Sequence, residues 1–330
     1  MLTPALRKKL LTTANYTVLI LMALVALFPI YFMVIASFKN TEDLFRNGIQ
    51  MVFEFDNLTA ANYEYTLTTK DGIYLQWYWN SIIVLVASTV CSLGLSSICG
   101  YAIGAYDFKG KNFLFVLTMI VMMIPIEILL IPLYKMIINM QLIDTKTGSI
   151  LPFVVQPTAM FFFQQYVRGI DRGYMEAARV DGCTEFGIFA RIMVPMMKPA
   201  FGAMIILLAL RNWNAFLWPM IVFASESSYT LPVGLASLIS SYGNNYDMLI
   251  PGAVLAFVPL VIIFLMNQNQ FVEGLTAGGI KGEGKGKNDA FSHRRPYSCG
   301  RFSGFGYPAQ VRFRRWRCHC TRPAGPGPAH

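Results

Sequence analysis

Charge is scarce in this chain: only 14% of its 330 residues are Asp, Glu, Lys or Arg, against about a quarter in an ordinary soluble domain. That scarcity excludes an ordinary aqueous surface. With 55% of residues in the set AVILMFWYC, it also excludes a chain that is unfolded throughout. Histidine is missing from residues 1–282, because His293, His319 and His330 all come later. The apolar runs therefore hold no imidazole, and no clustered set of acids or cysteines, which makes an enzyme the weakest class. Cysteine is sparse as well. Two of the six, Cys91 and Cys99, sit inside an apolar run, which argues against a disulfide scaffold. No phosphate-cradling Walker A loop occurs.

What is present is apolar length. The mean hydropathy is +0.47, and six runs of about 20 residues suit a bilayer's hydrocarbon thickness. They run roughly from Tyr16 to Ser37, Asn80 to Ala105, Phe113 to Tyr134, Ile150 to Tyr166, Ala200 to Phe223 and Leu249 to Asn267. The first follows Arg7, Lys8 and Lys9 but is too long for a signal-peptide core, so it reads as an uncleaved span. The fold class expected is an all-α membrane protein with six transmembrane helices.

The basic balance of +9 belongs to the end of the chain. Residues 1–282 carry 17 Lys+Arg and 16 Asp+Glu, whereas residues 283–330 carry 10 and 2. Lys and Arg in short loops are retained on the cytoplasmic side. Placing the N-terminus inside puts 11 of them there, including Lys109, Lys111, Arg172, Arg179 and Arg191, and leaves Lys39, Arg46, Lys70, Lys135 and Lys146 outside. Both ends of the spanning region are then cytoplasmic. Trp77 and Trp79, in the external 38–79 loop, fit an interfacial aromatic belt better than a ligand platform.

The cytoplasmic loop 167–199 is the most informative segment. Glu176 to Val180 favours helix, Gly182 breaks it, and Thr184 to Met193 proposes a second short helix ending at Pro195. A helix, a turn and a helix at the membrane surface make a rigid docking knob; the plainer alternative is an amphipathic connector.

Two spans carry charge, Glu127 in the third and Arg211 in the fifth. Either costs a few kcal/mol in hydrocarbon. At about 1.5 Å per residue they differ in depth by only about 5 Å. An ion pair or shared polar network, separate partners, and direct substrate contact all stay open. Gln156, Gln164, Asn212, Trp213 and Asn214 offer amides and an aromatic ring to a polar ligand, and nothing in their spacing singles one out. Pro125, Pro132, Pro152, Pro157, Pro219, Pro251 and Pro259 interrupt the spans, and Gly100 and Gly104, four apart, suit close helix packing.

Glu176-Ala177-Ala178, three residues, Gly182, nine residues, Ile192, one residue, Val194 and Pro195 resemble the EAA loop of ABC importer permeases, with Val194 where leucine is usual. Further matches point to the carbohydrate-uptake branch, the maltose-permease G-type subunit in particular. They include Ala36 to Lys39, Gly100 to Ala102, Phe108 to Asn112, Leu142 to Thr145, Trp213 to Pro219 and Phe271 to Gly282.

The resemblance implies a type I ABC importer permease with six spans, a sugar or oligosaccharide as cargo, and the bacterial cytoplasmic membrane as its place. It implies a heterodimer with a second permease, two ATPase subunits that supply ATP and Mg chemistry, and an extracellular or periplasmic sugar-binding protein. It implies no cofactor or metal in this chain. Glu176 becomes the polar ATPase contact, Ala177 and Ala178 allow close approach, and Gly182 makes the turn, with Asp181, Ile192 and Pro195 completing the coupling motif. Glu273, Gly274, Gly278 and Gly279 resemble the C-terminal segment that enters the ATPase interface. Glu127, Gln156, Arg211, Asn212 and Asn214 are left as an intramembrane polar network or substrate path. The competing class is a stand-alone secondary transporter or channel. Which sugar is carried is open, with an arabino-oligosaccharide or a maltodextrin the first candidates.

The resemblance ends at Gly282. Residues 1–282 read as the permease domain and 283–330 as a basic Gly/Pro/Arg-rich extension, disordered or accidental. Cys299, Cys318, His319 and Cys320 do not have the spacing of a structural zinc site, and the basic and aromatic cluster Arg312 to Arg317 has the chemistry for anionic lipid or RNA, while the partner expected of the chain is membrane lipid and no nucleic acid. A chain stopped at Gly282 is expected to insert and to copurify with its ATPase at least as well as the full chain. A truncated chain that inserts but loses the ATPase would overturn that reading.

Overall fold

The computed structural model describes residues 4–39, 58–240 and 243–279. Among these the chain is helical apart from turns, loops and one two-residue hairpin, Ile239–Ser240 paired with Gly243–Asn244. The helices are α1 Pro4–Ser37, α2 Ala61–Ala105, α3 Lys111–Met122, α4 Ile126–Asn139, α5 Lys146–Ile150 and α6 Pro157–Arg168. Then come α7 Gly173–Val180, α8 Glu185–Ile188, α9 Val194–Met196, α10 Lys198–Trp213, α11 Leu217–Val222, α12 Leu231–Ser237 and α13 Tyr246–Gly279. Residues 280–330, including the basic extension, lie outside the described residues.

Parts of α1 and α13 and the whole of α2 are each long and apolar enough to cross a membrane. Two bent pairs, α3 with α4 and Glu185–Met196 with α10, raise the count to as many as five by length and composition. The run Ile150–Tyr166, expected as the fourth span, is not one helix. It comprises the end of α5, a 3-10 turn at Leu151–Phe153 and most of α6, with non-helical residues between. Pro157 is the first residue of α6, where its missing N–H costs nothing. The second span also departs from expectation. Its helix opens at Ala61 rather than Asn80 and continues past non-helical residues Thr69 to Gly72, with φ of 48° at Lys70, 55° at Asp71 and 75° at Gly72.

The chain divides into two compact units. The first contains Met1–Leu95, Ile120–Gln156 and Ile205–Gln268. Its core gathers Tyr74, Trp77, Leu85, Ala209, Trp213, Leu231 and Met248. The aromatic residues bury their rings and still satisfy their polar ends. Trp77 Nε1 donates to the Glu226 carbonyl at 2.8 Å, Trp213 Nε1 to Ala256 at 3.1 Å, and Tyr74 Oη to Gly252 at 2.8 Å. Trp77 is thus a core residue rather than a member of an aromatic belt, and Gly234 leaves room for its indole. Trp79 is exposed.

The second unit contains Ser96–Met119 and Pro157–Met204, with the chain from Asn269. There the end of α2 lies directly on α6. A Cβ at Gly100 would meet the Met160 carbonyl at 2.7 Å and Phe163 Cβ at 2.8 Å, and one at Gly104 would meet the Gln164 carbonyl and Val167 at 3.0 Å. The spacing of the two glycines serves close helix packing, as small residues do in membranes. Because backbone carbonyls cannot retreat like a flexible side chain, Gly100→Ala is expected to cost about 1–3 kcal/mol by overpacking, read as a lowered Tm in detergent. Gly94→Ala, whose Cβ would have nothing within 4 Å, serves as the control and should leave Tm nearly unchanged.

Candidate coupling loop and intramembrane cleft

The 167–199 loop folds as its residues dictate. Asp171 Oδ1 accepts the Gly173 N–H at 3.0 Å and opens α7. At the other end the Cys183 N–H reaches the Ala178 carbonyl and the Gly182 N–H reaches Arg179, both at 3.0 Å. This is a Schellman closure, and Gly182 takes its left-handed position at φ 76°. Thr184 then caps α8 by accepting the Gly187 N–H at 3.2 Å. A π-turn at Phe189–Met193 leads into α9. It falls just ahead of Pro195, which has no N–H to return to the Arg191 carbonyl.

Four exposed charges and two tyrosines lock this knob to the segment after α2. Arg179 forks onto Glu185 with Nε–Oε1 at 2.7 Å and Nη2–Oε2 at 3.2 Å, joining α7 to α8. Tyr106 Oη donates to Glu185 at 2.6 Å, and Tyr101 Oη contacts both Tyr106 Oη at 3.2 Å and Met175 Sδ at 3.6 Å. Arg172 holds Asp107 at 2.7 Å, and Lys111 holds its other oxygen at 3.0 Å. Hydrogen bonds from Arg172 and Lys111 bring the Asp107 carboxyl down to about 2. The Arg179 fork, followed by Tyr106, lowers Glu185, while burial and the Glu185 carboxylate raise Tyr106.

Most of the residues expected to couple face outward. Glu176, Ala177, Asp181, Gly182 and Pro195 are exposed and Ile192 is half-buried. Ala178, expected to admit a partner helix beside Ala177, is instead buried in its own unit. Val180 and Phe186, at 88% and 73% exposed, add an apolar surface to the same knob. Glu273, Gly274, Gly278 and Gly279 continue α13 as helical backbone. Sequence reasoning missed Tyr101, Tyr106, Asp107, Arg172 and Glu185 as the clamp. The available signals were that Tyr101 lies within the matching segment Gly100 to Ala102 and that Asp107 lies beside the matching segment Phe108 to Asn112.

A second feature lies in the first unit, a cleft of about 320 Å³. It brings together Gln156, Arg211, Asn212 and Asn214, four of the five residues expected to form an intramembrane polar path. Phe153, Phe216 and Trp218 supply aromatic walls, with the Phe153 and Trp218 rings edge-to-face at 5.9 Å. Asn212 Nδ2 donates to Thr89 Oγ1 at 3.1 Å and Asn214 Nδ2 to the Leu210 carbonyl at 2.9 Å. The Trp218 indole N–H is buried without an acceptor among the described residues, at a desolvation cost of about 1–3 kcal/mol.

Glu127 is the exception. It is exposed in the first turn of α4 and does not line the cleft. The ion pairs among the described residues are Lys70–Glu226, Lys111–Asp107, Arg172–Asp107 and Arg179–Glu185, so Glu127 and Arg211 form none. The small depth difference expected between them presumes straight helices, and the break at Met123–Pro125 removes that premise.

Residues 92–270 match the family described as "Binding-protein-dependent transport system inner membrane component". The chain is 50% identical over 262 residues to the arabinooligosaccharides transport system permease protein AraQ of Bacillus subtilis (strain 168), covering 79% of this chain and 93% of that one. It is 30% identical over 279 residues to the lactose transport system permease protein LacG of Rhizobium radiobacter, covering 84% and 98%. A solved bacterial ABC transporter involved in import of the acidic polysaccharide alginate contains a chain that superposes with TM-score 0.70 at 20% identity, over 82% of this chain and 98% of that one.

The depressed Asp107 and Glu185 carboxyls put the clamp's contribution fully in place at neutral pH. For Asp107 it is lost only as pH falls from about 4 towards 2. At pH 7, Asp107→Asn is expected to speed amide hydrogen exchange in α7 by no more than about fivefold, the range that exposed ion pairs support, with little change in Tm. Unchanged exchange in α7 would show that the clamp does not hold it.

Proposed function

We propose that this chain, which belongs to the binding-protein-dependent transport system inner membrane components, passes an oligosaccharide across the bacterial cytoplasmic membrane. It is a membrane-embedded, multi-pass permease component of an ABC importer. The cargo reading rests on its similarity to the arabinooligosaccharide and lactose permease proteins, and an arabino-oligosaccharide is the cargo we favour. A second permease, two ATPase subunits that bind ATP and Mg, and a sugar-binding protein complete the machine in this reading. The permease domain is taken as residues 1–282.

The single observation that carries the coupling role is the construction of the α7–α8 knob. It is stiffened from within by the Schellman closure and the Arg179–Glu185 fork. It also presents Glu176, Ala177, Val180 and Phe186 outward. A stiff knob with one charge and an apolar surface suits a cleft on an ATPase, where burying the Val180 and Phe186 side chains contributes about 1.5–3 kcal/mol each. A flexible loop would absorb the ATPase's closure; a rigid one passes it on, along the chain into α10.

Gly182→Pro tests this directly. Proline fixes φ near −65°, whereas the turn holds Gly182 at 76°, and a proline also lacks the N–H that closes onto Arg179. The variant is expected to insert and accumulate normally while sugar uptake falls at least about tenfold for each ATP hydrolysed. Normal uptake with that substitution would overturn the coupling role.

A further inference from the structure

We infer that the cleft at Arg211 and Trp218 is a subsite for one sugar ring of the transported oligosaccharide, held by this chain itself. This rests on the oligosaccharide reading above and adds to it where in the chain the cargo is touched.

Three helix breaks meet at the cleft. The break at Met123–Pro125 precedes Ile126, the break at Val154–Gln156 ends in Gln156, and the break at Asn214–Phe216 lines the cleft along its whole length. Each falls inside a run whose composition places it at membrane depth. Non-helical backbone is tolerated there only where it is buried in protein or lines a watered cavity. Three separate breaks bring non-helical backbone and a few polar side chains to one largely apolar cleft.

The side chains give the ligand's chemistry. Aromatic walls from Phe153, Phe216 and Trp218 suit the C–H face of a sugar ring, and the amides of Gln156, Asn212 and Asn214 suit hydroxyls, which both donate and accept. Arg211 is exposed, has no carboxylate among the described residues, and offers two parallel donors to a pair of neighbouring hydroxyls. Trp218, 5% exposed, holds a buried N–H without an acceptor, which a hydroxyl would satisfy. A cleft of about 320 Å³ lies at the small end of ligand pockets, enough for part of a saccharide rather than a long chain. A membrane lipid's acyl chain would fill the aromatic walls but leave the Arg211 guanidinium without a counterpart.

The test uses the whole transporter, co-expressed with its permease, ATPase and binding-protein partners and reconstituted in proteoliposomes, with an arabinotriose as the probe. Trp218→Phe keeps a ring beside Phe153 but deletes the N–H together with one ring of the indole; Arg211→Gln deletes the charge; Asn214→Ala removes an exposed amide. The expected result is copurification of all subunits with each variant. The maximal uptake rate should fall at least about tenfold for Arg211→Gln, the loss of a charged hydrogen-bond donor, and several-fold for the other two. The KM, set outside the membrane by the binding protein, should change little.

Uptake by the wild type with unaltered rates in all three variants would overturn the subsite and leave the importer reading intact. Loss of the second permease on Arg211→Gln, with Trp218→Phe and Asn214→Ala silent, would also overturn it, assigning the guanidinium to a carboxylate across the subunit interface. A wild-type complex that takes up no arabinotriose would overturn the cargo reading and this subsite with it.

Discussion

Every backbone N–H and C=O at membrane depth must find a partner within the protein, because hydrocarbon offers none and each unmatched group costs several kcal/mol. Long helices meet that demand by themselves, and α1, α2 and α13 are the result. The demand also gives the irregular segments their meaning. Pro125, Pro157 and Pro219 each sit in or just after a break, and each removes an N–H from a helix that would otherwise run on. Breaks scattered over lipid-facing surfaces would be intolerable; these three converge on one cleft lined by amides, a guanidinium and aromatic rings.

The α7–α8 knob obeys a different constraint. It lies outside the apolar runs, where an exposed ion pair contributes little to stability. The cluster of Arg172, Asp107, Lys111, Arg179, Glu185 and Tyr106 is therefore better understood as fixing geometry than as adding stability. The fork from Arg179 spans the turn at Gly182, so the two short helices move together. Neither helix would hold its shape alone, since eight residues and four residues are far below the length at which isolated helices persist.

The legible part of this molecule was the part that local chemistry decides. Apolar length announced the long helices α1, α2 and α13 but not the broken run Ile150–Tyr166, Gly182 announced the turn, and the spacing of Gly100 and Gly104 announced a close helix approach. Prolines were visible as interruptions but their consequences were not. Pro29, Pro132, Pro251 and Pro259 lie inside continuous helices, while Pro125, Pro157 and Pro219 accompany breaks, and nothing in the residues themselves separates the two groups. Pairings distant in sequence were invisible for the same reason. Asp107 finds Arg172 65 residues away, and Trp77 finds the Glu226 carbonyl 149 away. The Glu127 and Arg211 pair failed because depth along an ideal helix was carried across a break. The four cleft residues came together because three short-range features, each readable alone, share a place that only the fold defines.

Lipid is as apolar as leucine, so helices in a bilayer gain nothing from simply hiding apolar surface against one another. Specific contacts must do the positioning, and the first unit shows where they are. Tyr74 on Gly252, Trp213 on Ala256 and Asn80 on Ser227 and Tyr229 tie α2, α10, α13 and the 3-10 turn at Glu226–Ser228 through side chain to backbone bonds. Among the described residues, the side-chain hydrogen bonds that tie helix α1 to its unit lie at its C-terminal end. Ser37 Oγ lies 2.7 Å from Tyr63 Oη, and Asn62 Nδ2 donates to the Ser37 carbonyl at 3.2 Å and to Lys39 at 2.8 Å. Over Leu10–Ser37 only 6% of its most apolar stretch is buried. A helix that is apolar on every side and pinned at one end takes its remaining surroundings from outside the chain. In a bilayer those surroundings are acyl chains or another protein chain, and the contacts at Ser37 fix only where the helix meets its own unit.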